Sequence, residues 1–432
     1  MKEWGLRRWF PAGLVVLGVA GAGLALGAVP PRYEVRLRDR PVAAGRDLGA
    51  LSAGLQARWE GELAREVTLT AGDRSWTYQL ADLGLPDGRT QLAAELEAQA
   101  GQLPWWERLA LSHPVLTVEP PPGWLTEKLE AALLPIRAEV ERQPVDATFH
   151  IEKQVPVITP ETNGTQLETG RVLEALKGLG EGRQLALPVT DRAPAVTRAS
   201  LEAMHITRVI AEWTTHYDPS IPRADNVERA ARAFNGLILK PGEILSYNAT
   251  VGPVDEANGW KEAFVIVNGE LVPGVGGGVC QVATTFYGAA LRANLDILER
   301  HPHQLAVAYI APSQDAAIAQ GWEDLKIRNT SLGHLYIETE AGGGSVTFRL
   351  YGDQPKDQEV RIESQVLGSR PYPTKVLSDP SLAPGQQVVK VAGNNGLISE
   401  AYRAVYVGGK LVKRERLSQD EYLPTTQVVL RG

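Results

Sequence analysis

A glycine-rich run in the middle of the chain is the feature that most restricts how it can fold. Residues 273–287 read Pro-Gly-Val-Gly-Gly-Gly-Val-Cys-Gln-Val-Ala-Thr-Thr-Phe-Tyr. Glycine permits backbone conformations that other residues avoid, and it allows a close approach to a ligand. Beyond Cys280, apolar residues recur at helical spacing, namely Val282, Phe286, Ala289 and Ala293. The pattern predicts a tight loop that leads into a helix with Cys280 at its N-terminus.

This position allows two interpretations of Cys280. The dipole at a helix N-terminus favours a thiolate, and free N–H groups of Gly276, Gly277 and Gly278 can hold an oxyanion, so the thiol is a candidate nucleophile. Cys280 is also the only cysteine in the sequence and therefore forms no intramolecular disulfide. A lone cysteine is commonly a small buried hydrophobe, which is the alternative interpretation.

A thiol nucleophile needs a base, and two histidines follow the predicted helix. His301 and His303 are both candidates, and Asp315 or Asp324 is a candidate to orient the imidazole. The glycines are not a phosphate loop, because no Gly-Lys-Ser/Thr follows them. One cysteine with nearby histidines lacks the spacing of zinc ligands, so we expect no metal and no cofactor.

Length and charge limit the architecture and the partners. A chain of 432 residues exceeds what one core usually serves, so we expect several domains. The formal net charge of -7 argues against a nucleic-acid binder. We expect an α+β multidomain protein with an anchor at 1–32, a mixed α/β region at 33–200, a β-rich domain at 201–352 and an elongated all-β module at 353–432.

The N-terminus predicts a membrane anchor. Lys2, Arg7 and Arg8 precede an uncharged run at residues 10–29, which is long enough for one crossing. The positive-inside rule places the remainder of the chain outside the cell membrane. A cleaved signal peptide is the alternative, and the protein would then be secreted.

Local patterns place the elements of the later regions. Asn226 is a candidate cap for a helix that ends at Asn235-Gly236. Lys240-Pro-Gly-Glu predicts a type II turn that joins two strands in a tight hairpin, and Asn268-Gly269 predicts a second hairpin. Short alternating strands separated by Asn-Gly and Gly-Gly pairs dominate the C-terminal region.

The central region resembles the VanW domain over roughly residues 205–350. The resemblance rests on the runs at 235–253, 263–282, 299–303 and 324–329, together with Tyr309 and Asp315. Two regions on either side of this one also resemble known families, but their motifs are less specific. Residues 144–168 resemble a peptidoglycan-binding module, and residues 382–422 resemble the G-five domain, which is associated with cell-wall amino sugars.

The VanW resemblance implies an activity, because some members are L,D-transpeptidases that use the cysteine of this motif. It implies that Cys280 attacks a peptidoglycan stem peptide with His303 or His301 as base. Candidate substrate or oxyanion contacts are Gly276, Gly277, Gly278, Gln281, Thr284, Asp315, Asp324 and Arg328. Surface ion pairing is the alternative for the charged members of this set. A second function class stays open, in which the protein is a non-enzymatic wall-binding scaffold, accessory in envelope stress or glycopeptide resistance. In both classes the partner is peptidoglycan, through its stem peptides and glycan.

Overall fold

The computed structural model describes residues 29–109, 111–267 and 269–432, and the chain divides into two compact units. The first contains the residues up to Gln143 and Gly164–Arg192. The second contains Pro144–Asn163 and Ala193–Gly432. The predicted membrane crossing at residues 10–29 lies outside the described part except for Val29. Within the described ranges, no helix is both long and apolar enough to cross a bilayer.

The first unit consists of two small groups of helices and strands, and each group has its own hydrophobic core. Its strands are Tyr33–Leu37, Arg40–Gly45, Glu66–Ala71, Arg74–Gln79, Val115–Val118, Gly164–Leu167, Gln184–Ala186 and Val189–Arg192. Its helices are Leu48–Leu63, Arg89–Gln102, Thr126–Val140 and Thr169–Gly178. One core contains Leu55 and Leu96, and the other contains Leu69, Leu133 and Ile136. The Asp47 side chain accepts hydrogen bonds from the amides of Gly49 and Ala50, which fixes the start of the first helix.

The second unit begins with a hairpin and continues into the β-rich centre. Its strands up to residue 352 are Thr148–Glu152, Val155–Thr159, Arg208–His216, Ile238–Leu239, Ile244–Ser246, Glu262–Val267, Glu270–Val275, Asp296–Glu299, Lys326–Arg328, Leu335–Gly342 and Ser345–Gly352. Its helices are Arg198–Glu202, Arg223–Arg232, Tyr247–Val251, the 3₁₀ turn Glu256–Asn258 and Val279–Arg292. The strands 208–216, 345–352, 335–342 and 238–239 form one antiparallel sheet in that order.

The helix Val279–Arg292, called here the Cys280 helix, forms the centre of this core. Val282, Phe286 and Leu291 have no exposed surface. Phe286 packs against Phe234 and Phe348 with ring centroids 5.2 Å apart in both pairs. Truncating a buried phenylalanine to alanine typically costs about 3–5 kcal/mol, so the helix is firmly fixed. The position of Cys280 therefore depends on a rigid element.

The C-terminal part of the second unit is all-β, as the alternating sequence predicts. Its strands are Gln358–Arg370, Thr374–Ser378, Gln387–Val391, Gly396–Val407, Lys410–Tyr422 and Gln427–Arg431. Gly408 and Gly409 have φ angles of 56° and 74° and connect two of these strands directly, in register from Val407 to Lys410. This matches the tight hairpin turn for which paired glycines are suited.

Two local predictions need correction. Asn226 does not cap the helix, which begins at Arg223 after Pro222; it lies within the helix with its side chain buried. The Lys240–Glu243 turn forms, with Gly242 at φ 80° and the amide of Glu243 donating to the Lys240 carbonyl at 3.0 Å. However, the strands on either side do not pair with each other, because Ile238–Leu239 and Ile244–Ser246 join different sheets. The turn therefore connects two sheets and does not close a hairpin.

Candidate active site

The Cys280 thiol lies in the first turn of its helix, where the sequence predicts it. The helix begins at Val279 after Gly278, whose φ of 111° is strained for a residue with a side chain. Cys280 is partly exposed, and its Sγ lies 3.6 Å from the Ile318 carbonyl oxygen. The thiol is therefore neither sealed in the core nor fully open to solvent.

The glycine loop before the helix is held from behind by Asn226. The Asn226 side-chain amide donates to the carbonyls of Lys261 and Gly277, at 2.9 and 3.0 Å, and its oxygen accepts from the Lys261 amide. A Cβ on Gly277 would lie 2.6 Å from the Phe264 carbonyl oxygen, and one on Gly276 would lie 2.2 Å from Val254. The loop needs glycine because the backbone is packed too closely for a side chain.

This loop leaves backbone donors without backbone acceptors. The amides of Gly276, Val279 and Gln281 each donate to a carbonyl. Among the described residues, the amides of Gly277, Gly278 and Cys280 have no backbone acceptor. Free N–H groups at a helix start are suited to an anion that develops beside the thiol.

His303 and Asp315 form a buried pair next to the thiol. The imidazole Nδ1 lies 2.7 Å from Asp315 Oδ2, and the same oxygen accepts from the His303 backbone amide at 2.7 Å. Both side chains are buried. His303 also interacts with Cys280. The three groups form a Cys-His-Asp series, the arrangement in which a carboxylate orients a base that activates a thiol.

Electrostatic interactions in this series favour a charged pair. Burial raises the pKa of the Cys280 thiol, but the hydrogen bond and charge of His303 outweigh it, so the pKa is lowered from its ordinary value. Burial lowers the pKa of His303, but the hydrogen bond to Asp315 and the neighbouring Cys280 sulfur outweigh that effect and raise the pKa to about 9. Burial likewise opposes ionisation of Asp315, yet His303 and Arg300 lower its pKa to about 2. These interactions favour the thiolate–imidazolium pair over a neutral thiol beside a neutral imidazole.

Arg300 and two groups from the C-terminal strands complete the surroundings of Asp315. Arg300 donates through Nη2 to Asp315 Oδ1 at 2.9 Å and through Nη1 to both carboxylate oxygens of Asp420. The Tyr422 hydroxyl donates to Asp315 Oδ1 at 2.6 Å. The carboxylate is thus fixed on both oxygens, one by His303 and the other by Arg300 and Tyr422.

Three predicted site residues lie elsewhere. The His301 ring contacts Glu299 at 3.2 Å, so it is paired away from the thiol. Asp324 accepts from the Ser246 hydroxyl and from the Asn248 amide, and it thereby caps the helix Tyr247–Val251. Arg328 lies on the strand Lys326–Arg328 and does not line the cleft described below. Of the two candidate aspartates, Asp315 is the one that contacts His303.

Two further predicted residues support the site from within the Cys280 helix. Gln281 donates to the Thr215 hydroxyl and the His216 carbonyl, and it accepts from Arg223 Nη1 at 2.6 Å. Thr284 exchanges hydrogen bonds with the backbone of Ala316, next to Asp315. Both side chains are buried, so their role is to position Arg223 and the Asp315 segment.

The thiol opens into a cleft of about 1510 Å³. The glycine loop and His303 line one part, and apolar residues of the hairpin and of the 305–309 segment line another. Phe264 and Trp322 are more than half exposed there, and Arg223 is the basic group of the lining. The cleft has room for a peptide and has both apolar and charged walls. In the described residues, no group of three His, Cys, Asp or Glu side chains is arranged to hold a metal ion.

Three parts of the chain match known family models. Residues 222–351 match the family model "VanW like protein". This match covers most of the central β-rich domain, which is similar to the VanW-like family over these residues. Residues 359–432 match the G5 domain, and residues 107–183 match a putative peptidoglycan-binding domain.

Two curated relatives carry the VanW likeness. The chain is 29% identical over 239 residues to the uncharacterized protein YoaR of Bacillus subtilis (strain 168), which covers 54% of this chain and 78% of YoaR. It is 34% identical over 110 residues to the vancomycin B-type resistance protein VanW of Enterococcus faecalis (strain ATCC 700802 / V583). That match covers 24% of this chain and 40% of VanW.

Two solved G5-domain structures show a likeness to a part of this chain. The IgA1 protease G5 domain is 25% identical with a TM-score of 0.13, over 17% of this chain and 90% of that one. HP0197-G5 is 21% identical with a TM-score of 0.12, over 17% of this chain and 95% of that one.

Sequence reasoning about the VanW-like domain missed several groups at the site. Arg223, Ile318 and Asp420 were not candidates, and Tyr422 was noted only for its resemblance to the G-five pattern. Asp420 and Tyr422 lie more than a hundred residues beyond Asp315, and no periodicity links positions so far apart. Arg300 directly precedes the candidate His301 in the sequence, so a search near the histidines for a cationic partner of Asp315 would have found it.

Proposed function

We propose that the protein is an extracytoplasmic cell-wall protein whose VanW-like domain is a peptidoglycan acyltransferase of the L,D-transpeptidase type. The observation that supports this most strongly is the Cys280–His303–Asp315 series at the head of a helix and in an open cleft. A buried structural thiol needs neither an imidazole held by a carboxylate nor a cleft in front of it. A nucleophile needs both.

The proposed first half-reaction forms a thioester. The Cys280 thiolate attacks the carbonyl carbon between the L-configured centre of a stem peptide and its terminal D-residue, and a carbon–sulfur bond forms. The free amides of Gly277, Gly278 and Cys280 stabilise the oxyanion. When the intermediate collapses, the carbon–nitrogen bond breaks, and the His303 imidazolium donates its proton to the leaving amine. The D-residue departs with that proton.

The second half-reaction transfers the acyl group. The amine of a neighbouring stem attacks the thioester, a new carbon–nitrogen bond forms and the carbon–sulfur bond breaks. Neutral His303 takes the amine proton, so the thiolate and imidazolium are regenerated. Asp315 keeps the imidazole ring oriented through both steps.

The partners of this function are the stem peptides and glycan of peptidoglycan. The match to a putative peptidoglycan-binding domain supports this assignment, as does the resistance-protein name of one relative. We also place the bulk of the chain outside the membrane, held by one crossing at residues 10–29 or secreted after cleavage. Protease added to intact spheroplasts is then expected to digest the protein, whereas protection of the full chain would contradict this topology.

The test of the activity uses purified muropeptides. The full chain, incubated with tetrapeptide-stem muropeptides, is expected to release the terminal D-residue and to yield cross-linked products. Cys280→Ser is the matched control, because oxygen is close in size to sulfur while a serine hydroxyl is far less ionised at neutral pH. Equal release by the serine variant would rule out the cysteine mechanism.

A second candidate function is that of a non-enzymatic wall-binding scaffold. The observation that favours it is that two regions outside the VanW-like domain match a putative peptidoglycan-binding domain and the G5 domain. Reactivity of Cys280 separates the two functions. A nucleophilic thiol reacts with iodoacetamide near neutral pH, whereas the scaffold function requires no such reactivity.

A further inference from the structure

We infer that the C-terminal G5 domain supplies part of the proposed active site, with Tyr422 as a positioning residue and Asp420 as the charge that balances the protonated base. This inference rests on the proposed function of Cys280 and His303. It assigns the G5 domain a role in the reaction besides binding to the wall. The contacts that carry it all lie within the second compact unit.

Tyr422 holds the segment that carries Asp315. Its ring is almost fully buried at the end of the strand Lys410–Tyr422. Its hydroxyl donates to Asp315 Oδ1 at 2.6 Å and accepts from the Ser313 amide at 2.7 Å. One phenol therefore fixes both the carboxylate and the backbone two residues before it. The other carboxylate oxygen is then directed at His303.

Asp420 changes the charge balance around His303. Arg300 is almost fully buried and lies between Asp420 and Asp315, with Nη1 at 2.7–2.8 Å from the former and Nη2 at 2.9 Å from the latter. Two carboxylates therefore share one guanidinium, and one negative charge remains without a partner unless His303 is protonated. Because a buried charge is costly unless it is paired, Asp420 favours the imidazolium, and the imidazolium in turn favours the Cys280 thiolate.

Other ionisable groups near the series do not supply this charge. Tyr247, Tyr309 and Glu323 interact with Cys280, and Tyr287 lies against Arg300. Arg223 and Arg403 face Tyr309 and Tyr287, respectively. Burial raises the pKa of Tyr247 well above its ordinary value, so its hydroxyl is neutral. Burial raises the pKa of Tyr287 to about 12, and it raises the pKa of Tyr309 well above the ordinary value, so both are neutral near pH 7. Arg403 is paired with Glu415. Glu323 opposes ionisation of the thiol, and Arg223 is held by Gln281.

The experiment measures the pH dependence of Cys280 alkylation by iodoacetamide in the full chain. The variants are Tyr422→Phe, which removes only the hydroxyl, and Asp420→Asn, which removes only the charge. Ser399→Ala is the matched control, because it breaks the buried hydrogen bond between the Ser399 and Ser313 hydroxyls without touching Asp315. Thermal melting of each variant records any loss of fold, and Tyr422→Phe is the conservative variant should Asp420→Asn fail to fold.

The inference predicts that the alkylation midpoint rises in Tyr422→Phe and Asp420→Asn, by about one pH unit, and stays unchanged in Ser399→Ala. An unchanged midpoint in Tyr422→Phe overturns the inference, as does an equal rise in Ser399→Ala. Alkylation requires no peptidoglycan. The experiment can therefore contradict the inference about the G5 domain without contradicting the proposed acyl transfer. A shifted midpoint without any acyl transfer by the wild type contradicts the proposed function alone.

Discussion

The hydrogen bond between His303 Nδ1 and Asp315 determines which ring nitrogen of His303, the proposed base, is left to face the thiol. A carboxylate accepts hydrogen bonds, so Nδ1 carries a proton and Nε2 is the ring nitrogen left for the thiol. His301 has no comparable partner in the site, because its ring contacts Glu299. The two histidines are two residues apart in the sequence, yet only His303 has the surroundings of a base.

Replacing each histidine tests this difference. His303→Ala is expected to slow release of the terminal D-residue by on the order of a hundredfold or more, since a general base is lost. His301→Ala, the matched control, is expected to stay within a few-fold of the wild type. Initial rates with the same muropeptide substrate measure both. An equal loss in the two variants would show that the base is assigned wrongly.

The lowered pKa of Asp315 gives a stability prediction with a definite sign. A depressed folded-state pKa stabilises the protein above the unfolded value of 3.8, and this stability is lost as the pH falls toward about 2. The difference of roughly two pKa units is worth on the order of 2 kcal/mol. The melting temperature of the wild type is therefore expected to exceed that of Asp315→Asn at pH 5, and the gap is expected to narrow between pH 4 and 2. A difference in melting temperature that does not change with pH would contradict the lowered pKa of Asp315.

At the scale of single residues, the sequence predicted which residues are candidates for the site better than it predicted which of them contact one another. Cys280 at a helix start followed from the glycines and the apolar spacing that comes after them. The sequence did not allow a choice between Asp315 and Asp324, because both are single aspartates in irregular segments downstream of the histidines. Only the fold shows that Asp324 caps a helix while Asp315 faces His303.

Among the elements, the glycine loop links the hairpin to the Cys280 helix. Its shape depends on Asn226, which the sequence pattern assigned to a helix cap. The error has a physical cause, since asparagine is favoured at caps by its side-chain hydrogen bonds, and here the same bonds serve a loop distant in sequence. The hairpin strands Glu262–Val267 and Glu270–Val275 were predictable, because an Asn-Gly pair between two alternating segments is a strong local signal for a hairpin.

Substitution in this loop tests its role. Gly277→Ala is expected to lower the rate of acyl transfer by tenfold or more, since the added Cβ would lie 2.6 Å from the Phe264 carbonyl oxygen and displace the oxyanion donors. Gly368→Ala is the matched control, because a Cβ there meets nothing within 4 Å. Steady-state rates and melting temperatures of the two variants separate the local effect from a general one. A normal rate in Gly277→Ala would remove the loop from the mechanism.

For the whole molecule, wall binding and catalysis are expected to be separable. Regions outside the VanW-like domain match a putative peptidoglycan-binding domain and the G5 domain, so the full chain is expected to co-sediment with purified sacculi. Cys280→Ser is expected to co-sediment equally, because the substitution leaves those regions unchanged. If neither protein pellets with sacculi, these regions are spacers.

The three family resemblances were recognisable from motif content, but contacts between distant segments were not predictable. Arg300 with Asp420, and Tyr422 with Asp315, are separated by more than a hundred residues each. Such pairs form only when the sheets have packed, and a single sequence contains no signal for them. The G5 strands were recognisable as strands, while their contribution to the site depends on tertiary structure.

The most direct test of the account is the mass of the intact protein after brief mixing with a tetrapeptide-stem donor in the absence of an acceptor amine. The account predicts a covalent adduct on the wild type that equals the donor mass less the released D-residue. It predicts no adduct on Cys280→Ser. A wild-type protein that stays unmodified while it releases the D-residue, or an adduct that persists in the serine variant, would contradict the Cys280 acyl-enzyme.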